Sequence, residues 1–113
     1  MSVHLLNEMS FLDGVTQEDI DYVKEHAIDG DANAQYHLAL MFDTGRGLPL
    51  IPKEAQRWYK AAAEQGHANA CYYLARMYSM ETSGIPKNDA EAMKWYKRAA
   101  ELGHKWAREK ISN

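Results

Sequence analysis

The side chains in this 113-residue sequence that are equipped for chemistry near neutral pH are five histidines, His4, His26, His37, His67 and His104, and one cysteine, Cys71. A catalytic or metal-binding reading needs such residues at workable spacings to one another or to an acid. The chain has no H-E-x-x-H pair for zinc, no C-x-x-C, no G-x-S-x-G around a nucleophilic serine and no phosphate-cradling glycine loop ending in Lys-Ser. The glycines of T-G-R-G at 44–47 therefore read as turn residues. Ser10, Ser79 and Ser83 have no His and Asp arranged with them as a triad would require. His67 and His104 each follow a glycine and stand 37 residues apart, which marks them as structural punctuation rather than ligands. Cys71 sits in an apolar run and reads as a small buried hydrophobe; a lone cysteine forms no internal disulfide and fits a reducing, cytoplasmic setting. These residues imply no enzyme, no cofactor and no metal.

What positions them is a repeat. The phrase GDANAQYHLALMF from Gly30 returns as GHANACYYLARMY from Gly66, and Gly103 opens a third, shorter copy, the offsets being 36 and 37 residues. EAQRWYKAAAEQG likewise returns as EAMKWYKRAAELG, placing Trp58, Tyr59, Ala62 and Ala63 opposite Trp95, Tyr96, Ala99 and Ala100. The one extra residue falls between Tyr78 and Gly84, in a loop. A period in the mid-thirties signals a helical solenoid. Ala34, Leu38, Met41 and Phe42 follow i, i+4, i+7, i+8, as do Ala70, Leu74, Met77 and Tyr78, so a first helix is expected over about 32–43 and again over about 68–80. Gly-Pro segments end each of them. A second helix follows with Ala55, Trp58, Tyr59 and Ala62 inward and Lys53, Gln56, Arg57, Lys60 and Glu64 outward. Gly66 and Gly103 stand where a left-handed residue stops it. No single pair buries both of its faces, so neighbours must stack.

The ends read as caps. Residues 104–113 form a truncated first helix whose Ala107 and Ile111 cover the last pair. Residues 16–30 match the second-helix register, Tyr22 and Val23 standing opposite Trp58 and Tyr59, with Thr16 and Asp19 spaced as a capping box. Leu5, Leu6, Met9 and Leu12 suggest a short helix ahead of it. One domain, 1–113, thus divides into an N-terminal cap and half-repeat (1–30), repeats at 31–66 and 67–103, and a capping helix at 104–113, six or seven helices in all. No stretch reaches the ~20 apolar residues of a membrane span, and the first residues lack the basic start of a signal peptide. Net charge is −3, split between −7 over residues 1–31 and +4 over the rest. That acidic front argues against nucleic acid and for a basic partner, or else for a solvated helix face.

ANACYYLARMY followed by SGIPKNDAEAMKWYKRAAELGH resembles the Sel-one-like repeat, a relative of the tetratricopeptide repeat, with Ala39 and Ala75 where many copies carry glycine. The resemblance covers residues 31–113. It implies an all-α, right-handed solenoid of stacked antiparallel helix pairs, and a non-catalytic adaptor that holds another protein. It also implies that the first helix of each pair lines a groove. The residues beside the core stripe would then face a ligand: Asn33, Tyr36, His37, Leu40 and Asp43 on one helix, Asn69, Tyr72, Tyr73, Arg76 and Met80 on the next, Trp106 and Glu109 on the cap. By analogy with tetratricopeptide arrays, the asparagines would hydrogen-bond a bound peptide backbone. Tyr and Arg are also types enriched where partners bind, although Tyr36 and Tyr72 equally suit packing against the neighbouring repeat. Two functions stay open: an adaptor holding a peptide or protein segment, and a dedicated inhibitor, such as a bacterial immunity protein covering a basic toxin domain.

Overall fold

Each of the three spaced glycines ends a helix in the same way. In the computed structural model, which describes residues 14–112, Gly66 has φ 90° and Gly103 φ 93°, in the left-handed region where a side chain would be strained. The two amides that follow the last turn fold back onto it: Gly66 N–H donates to the Ala63 carbonyl at 2.9 Å and His67 N–H to the Ala62 carbonyl at 3.2 Å. Gly103 and His104 repeat the pattern on Ala100 and Ala99, and Gly30 and Asp31 on Ala27 and His26. Paired bonds of this kind satisfy carbonyls that a helix end leaves orphaned.

Six α-helices result among the described residues: α1 Gln17–Ile28, α2 Ala32–Thr44, α3 Pro52–Glu64, α4 Ala68–Ser79, α5 Asp89–Glu101 and α6 Lys105–Ile111. Helices α2, α4 and α6 are the first members of the pairs, and α1, α3 and α5 the second. The chain is an all-α repeat solenoid, measuring 45 × 29 × 24 Å, in which every helix packs on its neighbours in sequence. No strand occurs among the described residues; a lone bridge between Thr82 and Ile85 tightens the α4–α5 loop. That loop carries the extra residue. Both pair-internal loops close on the same backbone bond, Ile51 N–H to the Phe42 carbonyl and Asn88 N–H to the Tyr78 carbonyl, so the extra residue is taken up within the loop. Thr16 and Asp19 form the expected capping box at α1. The short helix expected over Leu5, Leu6, Met9 and Leu12 lies outside the described residues.

The core is built from small residues and rings. Ala39, Ala55, Ala62, Ala70, Ala75, Ala99 and Ala107 are wholly buried, which lets helix backbones approach while Tyr59, Leu74, Trp95 and Tyr96 fill the spaces between them. Trp95 is buried as expected, its indole N–H donating to Glu91 at 3.1 Å. Trp58 differs: it is half-buried at the seam between the two core clusters, with the Arg57 guanidinium over its ring at 5.5 Å. Tyr59, one position on, takes the central place. Its hydroxyl reaches Asp43 at 2.9 Å, a polar partner that allows a phenol to be fully buried.

Candidate functional site

Because α2, α4 and α6 repeat the same face at every unit, side chains from neighbouring repeats meet along it. Tyr36 of α2 stacks near Tyr73 of α4, centroids 6.2 Å apart, and Tyr73 stacks on Tyr59 at 5.8 Å. The Arg76 guanidinium lies 5.5 Å over the Tyr73 ring, a cation-π contact. Tyr72 sits edge-on to Tyr73 at 5.4 Å and leads to Trp106 of α6 at 5.8 Å. The outcome is a continuous aromatic row, Tyr36–Tyr73–Tyr72–Trp106, running across three helices. Asp43 flanks it at the Tyr59 hydroxyl and Arg76 flanks it at Tyr73.

The other expected residues fall on or beside this row. Leu40 is half-buried against the core, and His37 donates from Nδ1 to the Asn33 carbonyl at 2.8 Å. Asn33, Asn69, Arg76, Met80 and Glu109 are exposed. Trp106 keeps 55% of its surface open, whereas Tyr72 keeps 7%. Of the two roles left open for Tyr72, packing is the one its position serves: His104 covers it, rings 4.4 Å apart and 10° from parallel, and Trp106 and Tyr96 close its sides. Tyr36 is only half-buried, under His67 at 4.5 Å, and keeps an open edge. Asn33 spends part of its amide internally, its Oδ1 accepting from His67 Nε2 at 3.0 Å.

His67 and His104 do more than punctuate. Each is the N-cap of the helix it precedes, Nδ1 accepting from the Ala70 N–H at 3.2 Å and the Ala107 N–H at 3.4 Å. Asp31 does the same work for α2 through a carboxylate, at 3.1 Å to Ala34 N–H. Accepting at Nδ1 requires a neutral ring with its proton on Nε2, and in His67 that proton is the one given to Asn33. Burial lowers both histidine pKa values, helped at His67 by nearby His37, so the environment favours the state the cap needs. Burial also pushes the Tyr36 hydroxyl up to about 12, with Tyr73 adding to it. It raises Tyr59 further, together with the Asp43 charge. Cys71 is a free, buried thiol, pushed up to about 11 by burial against a smaller opposing effect of Arg98. Its Sγ lies 3.6 Å from the Ala63 carbonyl.

Sequence reasoning missed one polar link. Gln35, buried at the position where the next repeat has Cys71, donates to the Ala27 carbonyl at 3.1 Å and accepts from Gln65 at 2.9 Å; Gln65 also reaches the Gly30 carbonyl at 2.8 Å. The signal lay in the alignment, since a glutamine at a core position needs partners. No group of three or more His, Cys, Asp or Glu able to hold a metal occurs among the described residues, nor is any helix among them long and apolar enough to cross a membrane.

The Sel1 repeat family model matches residues 32–67 and 68–104, the two full units seen here. The chain belongs to the Sel1 repeat family. Proteins of this family are generally protein-interaction modules, and the fold is typically a non-catalytic scaffold. Among solved structures, c5321, a protective antigen present in uropathogenic Escherichia coli strains and displaying an SLR fold, is 32% identical with a TM-score of 0.83, over 97% of this chain and 24% of its own. A Sel1 repeat protein from Oxalobacter formigenes is 36% identical with a TM-score of 0.74, over 80% of this chain and 37% of its own. Helicobacter pylori cysteine rich protein B shares the fold at 21% identity and a TM-score of 0.79, over 97% of this chain and 87% of its own. The chain thus spans about a quarter and somewhat over a third of the length of the first two. No curated protein matches it.

Proposed function

We propose that this Sel1 repeat chain is a non-catalytic module that binds a partner protein or peptide on the face formed by α2, α4 and α6. The observation that carries the reading is the continuous row of rings on that face, with Tyr36 and Trp106 partly open and with Asp43 and Arg76 at its margin. Aromatic rings with an adjacent arginine supply contact area at little entropic cost and are the types that dominate binding energy. Asn33, His37, Leu40, Asn69, Tyr73 and Glu109 complete the contact set, and Tyr72 supports it from beneath. The partner is a protein, with neither nucleic acid nor membrane in the reading. With its one cysteine buried as a free thiol, the module suits the cytoplasm.

Affinity capture with the wild-type chain and with Arg76→Glu tests the reading. Arg76 is exposed and its replacement should leave the melting temperature unchanged, while proteins retained by the wild type are lost. Identical retention by both would place binding elsewhere. An inhibitor of a basic toxin domain remains a special case of the same reading; it would add an on-rate that falls with salt and with Asp21→Lys on α1.

A further inference from the structure

The turn from each second helix to the next first helix is built twice, at α3–α4 and at α5–α6, and the two copies differ. At α3–α4, Gln65 donates to the Gly30 carbonyl at 2.8 Å and to Gln35 at 2.9 Å, and His67 Nε2 donates to Asn33 Oδ1 at 3.0 Å. These bonds tie the start of α4 to the start of α2. The repeat offsets of 36 and 37 place Leu102, His104, Lys105 and Trp106 where the earlier turn has Gln65, His67, Ala68 and Asn69, with Asn69 in the place of Asn33. Leucine cannot make the two glutamine bonds, and no hydrogen bond joins His104 to Asn69. The second copy stays open. A pocket of about 510 Å³ lies there, bordered by Asn69, Leu102, His104, Lys105 and Trp106.

The side chains left open there share one chemical character. Leu102 is 38% exposed and Trp106 55%, an apolar edge where the earlier unit is closed by polar groups. His104 has the same cap and the same stacking as His67, its Nδ1 accepting from the Ala107 amide and its ring lying on Tyr72 as His67 lies on Tyr36. Its proton is therefore on Nε2, and here no asparagine oxygen takes it. Asn69 and Lys105, both exposed, are likewise uncommitted among the described residues, and no aspartate or glutamate lines the pocket. An imidazole N–H, an amide and an ammonium are donors, and the complement of donors beside apolar surface is a carboxylate beside an apolar group. All three are side chains, the Ala107 amide being spent on His104. The pocket is open to solvent, so it suits a stretch of chain laid across it rather than an enclosed small molecule. We infer that it holds a segment of the partner protein in which an Asp or Glu side chain stands next to an aromatic or branched apolar one, the acid meeting Lys105, His104 and Asn69 and the apolar group meeting Leu102 and Trp106. The inference rests on the reading that the α2–α4–α6 face binds a protein, a face to which Asn69 and Trp106 belong, and it gives that face an acid-selecting end.

Two capped tetrapeptides, acetyl-Gly-Phe-Glu-Gly-amide and its Gln counterpart, test the pocket by nuclear magnetic resonance on the isotope-enriched full chain; the blocked ends leave the Glu side chain as the only carboxylate. The expected result is movement of the Asn69 and Trp106 side-chain N–H signals and of the Leu102–Trp106 amides, with the Asn33 side-chain signals still. The Glu peptide should bind about 2- to 5-fold more tightly than the Gln peptide, the worth of an exposed ion pair, and Lys105→Glu should reverse that preference. Leu102→Gln/Trp106→Asn, which copies Gln65 and Asn69 of the closed turn, should abolish the movements, while Arg76→Glu should leave them in place. Equal binding of the two peptides, movements spread over the whole chain, no movement at several millimolar peptide, or a Lys105→Glu chain that still prefers Glu would each overturn the inference. Capture that is lost in Arg76→Glu while the peptides are not told apart would sink the pocket and keep the face; capture unchanged in Arg76→Glu would sink the face reading itself.

Discussion

Replacing the two histidine caps by the cap that nature uses in the first repeat should remove an acid sensitivity built into the solenoid. His67 and His104 cap α4 and α6 only as neutral rings, because the Nδ1 lone pair must accept the Ala70 and Ala107 amides. Their folded pKa values lie below the usual 6.5, from burial first. Above that value both the folded and the unfolded chain carry neutral rings, and the contribution is complete and constant. As pH falls below it, the unfolded chain takes up protons that the folded chain resists, so stability is lost toward acid pH. The ceiling on the slope is about 1.4 kcal/mol per pH unit per histidine. The two rings are only partly buried, so solvent screening keeps the real slope well below that ceiling. A better measure is the cap itself, worth about 1 kcal/mol, less at His104 where the contact is 3.4 Å. Urea unfolding followed by circular dichroism should therefore show a loss of about 1–2 kcal/mol between about pH 7.5 and 5. His67→Asp/His104→Asp, which copies Asp31, should flatten that slope, because a carboxylate stays ionised and accepting over the whole window. A double variant as acid-sensitive as the wild type, or a wild type that gains stability toward pH 5, would refute the reasoning.

Tyr72→Ala removes a ring enclosed by His104, Tyr96 and Trp106 and should destabilise the chain by about 3 kcal/mol, in the range for large aromatic truncations, read as a lowered urea midpoint; an unchanged midpoint would return Tyr72 to the open face. Cys71 should react with a thiol reagent only as fast as the chain opens, since the thiol is buried with its pKa raised to about 11, and rapid labelling of the native protein would contradict its placement.

Most of the fold was legible because the sequence states each local choice twice. The spaced glycines, the Ala-rich helix faces and the doubled W-Y-x-x-A-A phrase each fix one thing, and their agreement fixes the stacking. The expected first helices at 32–43 and 68–80 end within a residue of α2 and α4. What periodicity did not reveal was which ring of each adjacent pair goes inward. Trp58 and Tyr59 both follow the helical stripe, but Asp43 offers the tyrosine hydroxyl a partner from another helix, a relation visible only once the helices are packed. Tyr72 and Tyr73 pose the same ambiguity, resolved by the stacking of His104 on Tyr72. His67 and His104 stand at helix starts, where their position after the spaced glycines put them, while their chemistry as caps needed the Nδ1 distances.

The most direct measurement of the central claim, that the α2–α4–α6 face holds a protein, is site-specific photocrosslinking in the living cell. A photoreactive residue at Arg76, on that face, is compared with one at Lys60, on the outer side of α3, both positions being exposed. The account predicts a discrete crosslinked product of higher mass from position 76 and none from position 60. A product from position 60 alone would contradict it.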